Sequence, residues 1–532
     1  MTARLGWAGA AIGLVLLVGC WWLVAVTAFR ASGAVPTPAA VVGQFVTDGF
    51  GFYWSNATIT LSGAALGFLW GNALALAIAV FVLLVPAVEG VATQLAVISY
   101  CIPLTAIGPI ILVVFGGRTP TVFLAALSVF FTTLIGALLG LRAADRASLD
   151  AVAAFGGNRW QRLVKVQLIA ALPATLNALK IAVPAAMLGA IVGEYLGGVD
   201  SGLGVVLTVA QQQYEVARTW ALALLTGLLA FLGYGLVALV ARLITPWAGA
   251  ATGPSTPGAR GLRVEGNGPV AVLRAAGRLV LPLVVSAVVV LVLWIAFLEV
   301  FDISRMVGKP PTAVWAYLVT DDDAQANRAA VLGALLVTLR DAAIGFTAGL
   351  IGAVAAAVVF VLVRSLERTL MPVAMLLRSV PLIAMTPIIA LVFGRGLVGV
   401  AVIGAIVVFF PVLVNVVFGM RSASSSAVDL VQAYGGGRVT ALRKVALPSA
   451  LPALFASARI AVPGALIGAL IAEWLITGEG MGGAILRAVG GFRYDELWAS
   501  VVVLTGTSIL CYTAVGVLEA AVLTRFYPQA GD

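Results

Sequence analysis

Apolar residues dominate this chain in long runs of about 20 residues, separated by short polar stretches. A run of that length crosses a hydrocarbon layer about 30 Å thick as one helix. The runs lie near residues 6–28, 58–84, 92–115, 119–141, 172–196 and 219–243, and again near residues 279–300, 333–363, 372–393, 397–420, 449–475 and 497–520. The pattern predicts an all-α polytopic membrane protein with about twelve transmembrane helices.

The two halves of the chain repeat one another. Equivalent residues recur at a nearly constant separation, as in Pro173 and Pro452 (452 − 173 = 279) and Pro109 and Pro387 (387 − 109 = 278). We divide the chain into repeat 1 (1–248), a Gly/Pro/Ser-rich cytoplasmic linker (249–278) and repeat 2 (279–532). With about six spans each, both repeats begin and end on the same side, which predicts parallel repeats related by an axis along the membrane normal. That axis is the natural place for a substrate path.

Basic residues cluster on one side of this predicted topology. Arginine and lysine lie at the ends of each repeat and between its fourth and fifth runs, whereas the opposite loops hold acidic residues such as the run 321–323. Short loops rich in Lys and Arg stay in the cytoplasm, so we predict a multi-pass protein of the bacterial plasma (inner) membrane with both termini inside. This bias and contact with membrane lipid account for the net charge of +9, without a nucleic-acid partner.

The composition argues against chemistry carried by this chain. It has no histidine and only three scattered cysteines, which leaves no ligand set for a metal and no disulfide framework. The phosphate-binding pattern G-x-x-x-x-G-K-[ST] is absent, as is a nucleophile with a basic partner. We therefore expect a chain that is not an enzyme and binds no cofactor or metal.

A polar segment interrupts the apolar pattern between the fourth and fifth runs of each repeat. Loop 1 covers residues 148–169 and loop 2 covers residues 427–448. Each contains small and apolar residues at helical spacing, a Gly-Gly interruption and a basic amphipathic stretch, which predicts a helix, a turn and a second helix. Apolar side chains such as Phe155 and Trp160 are costly to expose to water, so we expect both loops to dock onto a partner.

In both loops an acidic residue precedes a glycine by six positions, and an aliphatic-x-Leu sequence follows (Asp150 and Gly156; Asp429 and Gly435). This order resembles the "EAA" loop of binding-protein-dependent ABC importer permeases. Aspartate replaces the usual glutamate, and Ile169 stands where loop 2 has Pro448, so we expect a less sharp start of the following span in repeat 1 and unequal coupling by the two loops. The flanking segments SYCIPLTAIGPIILVVFGGRTP and LRSVPLIAMTPIIALVFGRG are similar to those of nitrate, sulfonate and taurine permeases.

The resemblance implies a type I importer permease fold with two permease copies fused in one chain. It also implies a homodimer of ABC ATPase subunits that binds ATP and magnesium, and an extracytoplasmic binding protein or lipoprotein that delivers the ligand. The residues that it assigns to ATPase coupling are Asp150, Ala151, Phe155, Gly156, Gly157, Arg159 and Trp160 in loop 1, and Asp429, Tyr434, Gly435, Gly436, Arg438 and Pro448 in loop 2.

We therefore expect the permease subunit of an ATP-driven importer for a small, anionic nutrient such as nitrate, a sulfonate or taurine. The same importer class for a pyrimidine or another vitamin precursor remains an alternative. An ion-coupled secondary transporter with duplicated halves would place ionisable residues deep in the bilayer, and few are evident here. A membrane scaffold or insertase would need no paired docking loops.

The candidates for the translocation pathway or its gates are Pro103, Pro109, Lys180, Glu194, Arg340, Pro381, Pro387, Arg459 and Glu473. The prolines are candidate kinks that line the pathway or merely pack. Lys180 and Arg459, placed in the first turns of the fifth spans, form a cytoplasmic gate ring, contact an anion or snorkel to the interface, and we favour snorkelling. The two glutamates serve an outer gate, contact the binding protein or lie at the interface beside aromatic residues. Arg340, with Asp341 compensating its charge, faces the pathway and attracts an anion or lies at the outer interface, and we favour the interface.

Overall fold

A computed structural model describes residues 15–30, 32–196, 199–247, 269–379 and 382–526, and every regular element in these ranges is helical. Repeat 1 contains α1 (Val15–Val26), α2 (Pro38–Leu84), α3 (Glu89–Cys101), α4 (Leu104–Phe115), α5 (Thr119–Arg142), α6 (Arg146–Ala154), α7 (Arg159–Arg162), α8 (Leu168–Tyr195), α9 (Leu203–Gln212) and α10 (Val216–Ile244). Helix α11 (Pro269–Val300) begins inside the predicted linker 249–278, ten residues before the predicted start of repeat 2 (279 − 269 = 10), so the C-terminal end of the predicted linker is helical. Repeat 2 continues with α12 (Pro311–Trp315), α13 (Ala324–Leu362), α14 (Arg364–Ser379), α15 (Leu382–Phe393), α16 (Leu397–Arg421), α17 (Ser425–Ala433), α18 (Arg438–Ala441), α19 (Leu447–Ala472), α20 (Gly480–Gly490) and α21 (Tyr494–Phe526).

The prediction of an all-α polytopic membrane protein is confirmed. Within the described ranges, eight helices are long and apolar enough to cross a membrane, or nine if one bent pair counts as a single span. That pair lies in the predicted span 92–115, which is not straight: the preceding helix and α4 meet at 88°. The bend falls at Ile102 and Pro103, where proline lacks the N–H that would continue the first helix and instead begins the second.

The two repeats interlock instead of lying side by side. Helix α11, the first of repeat 2, packs on α3 of repeat 1, and α21 packs on α3 and α4. On the other side, α10 of repeat 1 packs on α14 and α15 of repeat 2. Phe115 meets Phe297 and Phe301 edge-on, with ring centroids 5.7 and 5.0 Å apart. Each repeat therefore contributes helices to the surroundings of the other.

Each loop runs without a break into one long helix. Arg159–Tyr195 is 37 residues long and Arg438–Thr477 is 40 residues long, which at 1.5 Å per residue gives rods of about 55 and 60 Å. A single π-helical turn joins the loop to the rod in both repeats, at Leu163–Gln167 and at Leu442–Ala446. The expected less sharp start of the span in repeat 1 is therefore wrong, because the same π-helical turn leads without interruption into α8 at Leu168 and into α19 at Leu447.

Candidate functional site

Both loops fold as a nine-residue helix, a Gly-Gly turn and a short second helix, as the sequence predicts. The first glycine of each turn has a left-handed backbone, with φ +74° at Gly156 and +77° at Gly435. The second glycine lies against the preceding helix, since an added Cβ on Gly157 would come within 2.5 Å of the carbonyl oxygen of Val152. One glycine thus serves the turn and the other serves close packing.

The two loops differ in how their helices begin. Just before loop 1, the Asp145 carboxylate caps α6 and accepts from the backbone N–H of Ser148, 3.1 Å away. This bond and the Ser148 hydroxyl hold the pKa of Asp145 below its ordinary value. Asn158 and Gln161 form a reciprocal capping box at the second helix. In loop 2 the corresponding positions, Ser424 and Gly437, make no side-chain cap. Capping stabilises short helices, so the asymmetry between the loops lies in their caps.

Large apolar side chains project from both loops into solvent. Phe155 is 94% exposed and its equivalent Tyr434 is 86% exposed, while Trp160 and Val439 are each 58% exposed. The other predicted coupling residues that lie at the surface of the loops are Asp150, Ala151, Gly156, Arg159, Asp429, Gly435 and Arg438. Pro448 is exposed but belongs to the long helix. Aromatic side chains held this far out form a surface suited to a protein partner.

At the far ends of the two rods, equivalent residues meet. Tyr195 and Trp474 (474 − 195 = 279) contact one another edge-on, with ring centroids 5.5 Å apart. Two positions related by a pseudo-twofold axis can touch only if both lie next to that axis. This axis pair therefore marks the line along which the repeats face one another.

An apolar plug surrounds the axis pair. Further equivalents gather in the same cluster, namely Leu188 with Ile467, Val192 with Ile471 and Leu196 with Leu475. Val192 and Ile471 are each only 2% exposed. The axis is closed here by packed apolar side chains, which form a barrier to any polar solute.

The predicted proline kinks of repeat 1 lie at the start of α4 and within it. Pro103 occupies the sharp bend before α4, and Pro109 lies inside α4, where with Trp474 it lines a narrow cleft between the repeats. Pro387 falls inside α15, and Pro381 lies outside the described residues. The sequence predicts these prolines but not the axis pair, although the recurrence of the pair at the repeat spacing beside the glutamates is a signal for it.

Glu194 and Glu473 are buried, at 1% and 0% exposure, and neither lies at a surface that a partner or the membrane interface could reach. The Glu194 Oε2 accepts from the Thr60 hydroxyl at 2.9 Å and from the Gly204 backbone N–H at 2.8 Å. The Glu473 Oε2 accepts from Thr338 and Gly482 at the same two distances. Their placement as interfacial carboxylates is therefore wrong.

Lys180 and Arg459 lie well inside the continuous rods, not in their first turns, because the rods begin at Arg159 and Arg438. Arg459 does not snorkel: its guanidinium lies 4.4 Å from the centroid of the Tyr512 ring and 3.7 Å from the Glu519 carboxylate. Repeat 1 has Ala241 in place of that glutamate (519 − 241 = 278). Repeat 2 thus has an ion pair at a position where repeat 1 lacks the carboxylate.

Arg340 and Asp341 form an ion pair within α13. The Arg340 Nη2 lies 2.8 Å from the Asp341 Oδ1, and the arginine side chain is 56% exposed while the aspartate is 2% exposed. The Arg340 side chain thus reaches the surface of the helix bundle and neutralises the buried aspartate beside it.

A family model described as "Binding-protein-dependent transport system inner membrane component" matches residues 71–246 and again residues 345–526. The chain belongs to this family. The second match confirms that two permease copies are fused in one chain. As a member, it is a multi-pass permease subunit of the inner membrane that operates with ATPase and substrate-binding partners.

Individual relatives agree with this assignment. The permease is 29% identical to a probable ABC transporter permease protein of Haemophilus influenzae over 179 residues, which cover 34% of this chain and 73% of that protein. It is 27% identical to a formylaminopyrimidine transport permease of Halalkalibacterium halodurans (43% and 92% covered). It is also 27% identical to a putative aliphatic sulfonates transport permease of Bacillus subtilis (46% and 89% covered). No solved structure matched the chain significantly.

Proposed function

We propose that this permease transmits ATP-driven motion from its two loops to the axis plug and so admits a small, anionic nutrient. One observation carries the proposal: each rod has a solvent-exposed aromatic loop at one end and contributes to the axis pair at the other. A rigid helix displaced at one end moves at the other, and packed interfaces switch between discrete arrangements. Loop motion would therefore open or close the plug.

The partners follow from the two loops. Each loop would seat on one subunit of an ATPase homodimer, which binds the ATP and magnesium, so the permease would do no bond chemistry itself. The loop side would face the cytoplasm together with both termini, as the distribution of basic residues indicates. The axis pair would then face the extracytoplasmic binding protein or lipoprotein that delivers the ligand.

The substrate class rests on the relatives. One relative is named for aliphatic sulfonates and another for formylaminopyrimidine. A small anion is our first candidate, and a pyrimidine vitamin precursor is the second. The plug offers apolar and aromatic side chains, not a charged site, which is consistent with selection by the binding protein before the ligand reaches the axis.

The test uses the turn glycines. A side chain on Gly156 has free space but must adopt φ +74°, whereas Gly235 has free space and an ordinary backbone. We expect Gly156→Val to abolish the ATPase activity of the assembled complex that depends on the permease, Gly235→Val to retain it, and Gly156→Asn to retain most of it, because asparagine tolerates the left-handed region.

The same comparison applies to Gly435→Val in loop 2. Unchanged coupling in both valine variants, in chains that insert normally, would contradict the proposal. So would failure of the native chain to co-purify with an ATPase.

A further inference from the structure

The buried carboxylate of Glu194 fastens three elements together. It accepts from Thr60 of α2 and from the N–H of Gly204 in the first turn of α9, while the Thr60 hydroxyl oxygen accepts from the N–H of Leu203 at 2.8 Å. Thr60 and Glu194, which are 134 positions apart, thus connect α2 with α8, and both residues also bond to α9. We call this set of groups the latch of repeat 1.

Repeat 2 contains the same latch. Glu473 accepts from Thr338 of α13 and from the N–H of Gly482, and Thr338 accepts from the N–H of Met481 at 2.9 Å. In both repeats the carboxylate meets the N-terminus of a short helix of ten or eleven residues, α9 or α20, whose free N–H groups favour a negative charge. The Thr hydroxyl supplies a second donor to the same oxygen, Oε2.

The latch requires a glycine beside each glutamate carboxylate. A Cβ on Gly202, whose φ is +134°, would lie 2.6 Å from the carboxylate carbon of Glu194. Gly480, with φ +60°, lies in the same way against the Glu473 carboxylate. The backbone can approach the carboxylate only where no side chain intervenes, so the glycines and the glutamates form one unit.

The latch lies next to the axis pair. Glu194 directly precedes Tyr195, and Glu473 directly precedes Trp474. A buried oxygen that loses its hydrogen-bond donor is costly, so separating α9 and α20 from the rods would remove the backbone donor from Oε2 of each glutamate. The hydrogen bonds therefore join each short helix to the end of the rod that carries the axis pair.

We propose that Glu194 and Glu473 are positioning residues that make α9 and α20 move as one body with the outer ends of the two rods, so that loop motion opens the plug. The proposal rests on the proposed function, because it assigns a route to the same motion. It gives both glutamates a role inside the protein, without direct contact to the ligand or the binding protein.

The experiment measures access to the plug in the complex of the full chain with its ATPase subunits. Val192→Cys, introduced after the three native cysteines are replaced by alanine, reports access through its reaction with a membrane-impermeant methanethiosulfonate. The labelling rate is compared between the nucleotide-free complex and the complex trapped with ATP, magnesium and vanadate. Latch variants are Thr60→Val, which removes the donor, and Thr60→Ser, which keeps it; Thr58→Val, at an exposed position of the same helix, is the control.

We expect nucleotide trapping to change the labelling rate in the native, Thr58→Val and Thr60→Ser complexes. In Thr60→Val, which loses both the bond to the Glu194 carboxylate and the bond from the Leu203 N–H, the change should shrink at least about ten-fold. An undiminished change in Thr60→Val would overturn the proposed role of the latch but leave the proposed function standing. A Thr60→Val complex that fails to assemble would have the same consequence, since the bonds would then serve stability only. No change on trapping in the native complex would instead overturn the proposed function.

Discussion

The exposed aromatic residues of the loops allow a quantitative prediction. Phe155→Ala removes a ring that is 94% exposed in this structure and would be buried when an ATPase subunit docks. An aromatic side chain buries about 150–250 Å², which at about 25 cal/mol per Å² corresponds to about 4–6 kcal/mol. Alanine retains part of that area and the interface rearranges, so we expect a loss of about 2–4 kcal/mol, or roughly 30- to 1,000-fold in Kd.

The assay is the affinity of the ATPase subunits for the permease in lipid nanodiscs. Tyr434→Ala, at the equivalent position and 86% exposed, should weaken binding to a similar extent, and the double variant should bind no ATPase at working concentrations. Phe50→Ala is the control, because Phe50 is 77% exposed but lies on α2, away from the loops. Affinities within two-fold of the native chain for both loop variants would refute the reasoning.

Three further predictions concern the interior. Gly202→Ala should destabilise the protein by about 1–3 kcal/mol, because the added Cβ meets the Glu194 carboxylate and the backbone keeps a strained φ. Thermal unfolding compares it with Gly490→Ala, where the added Cβ has open space, and equal melting temperatures of the two variants would contradict the prediction. Trp474→Ala should raise nucleotide-free labelling of Val192→Cys about two- to ten-fold, since an edge-on aromatic pair contributes about 0.5–1.5 kcal/mol; an unchanged rate would mean that the pair does not seal the axis. Glu519→Ala should lower the free energy of unfolding by about 1–3 kcal/mol, because Arg459 loses its carboxylate partner. The control Glu299→Ala, at an exposed position, should lower it little, and equal losses of unfolding free energy in the two variants would show that the ion pair contributes nothing.

Sequence determined those features that depend on local pattern or on the repeat itself. Runs of apolar residues specify helices that cross a membrane, because only a helix satisfies its own backbone in lipid. The recurrence of equivalent residues revealed the duplication, and the Gly-Gly interruption located both loops, since a left-handed turn favours glycine. The prediction of helix, turn and helix was confirmed in each loop.

Only the tertiary structure decided what lies at the axis. The contact between Tyr195 and Trp474 joins residues on different repeats, and no local pattern distinguishes a residue at a symmetry axis from one at a lipid interface. The latch likewise depends on Thr60 meeting a carboxylate 134 positions away, and the partner of Arg459 comes from α21. Local sequence fixes helices and turns, whereas a buried charge acquires its role from whichever distant groups the packed helices bring to it.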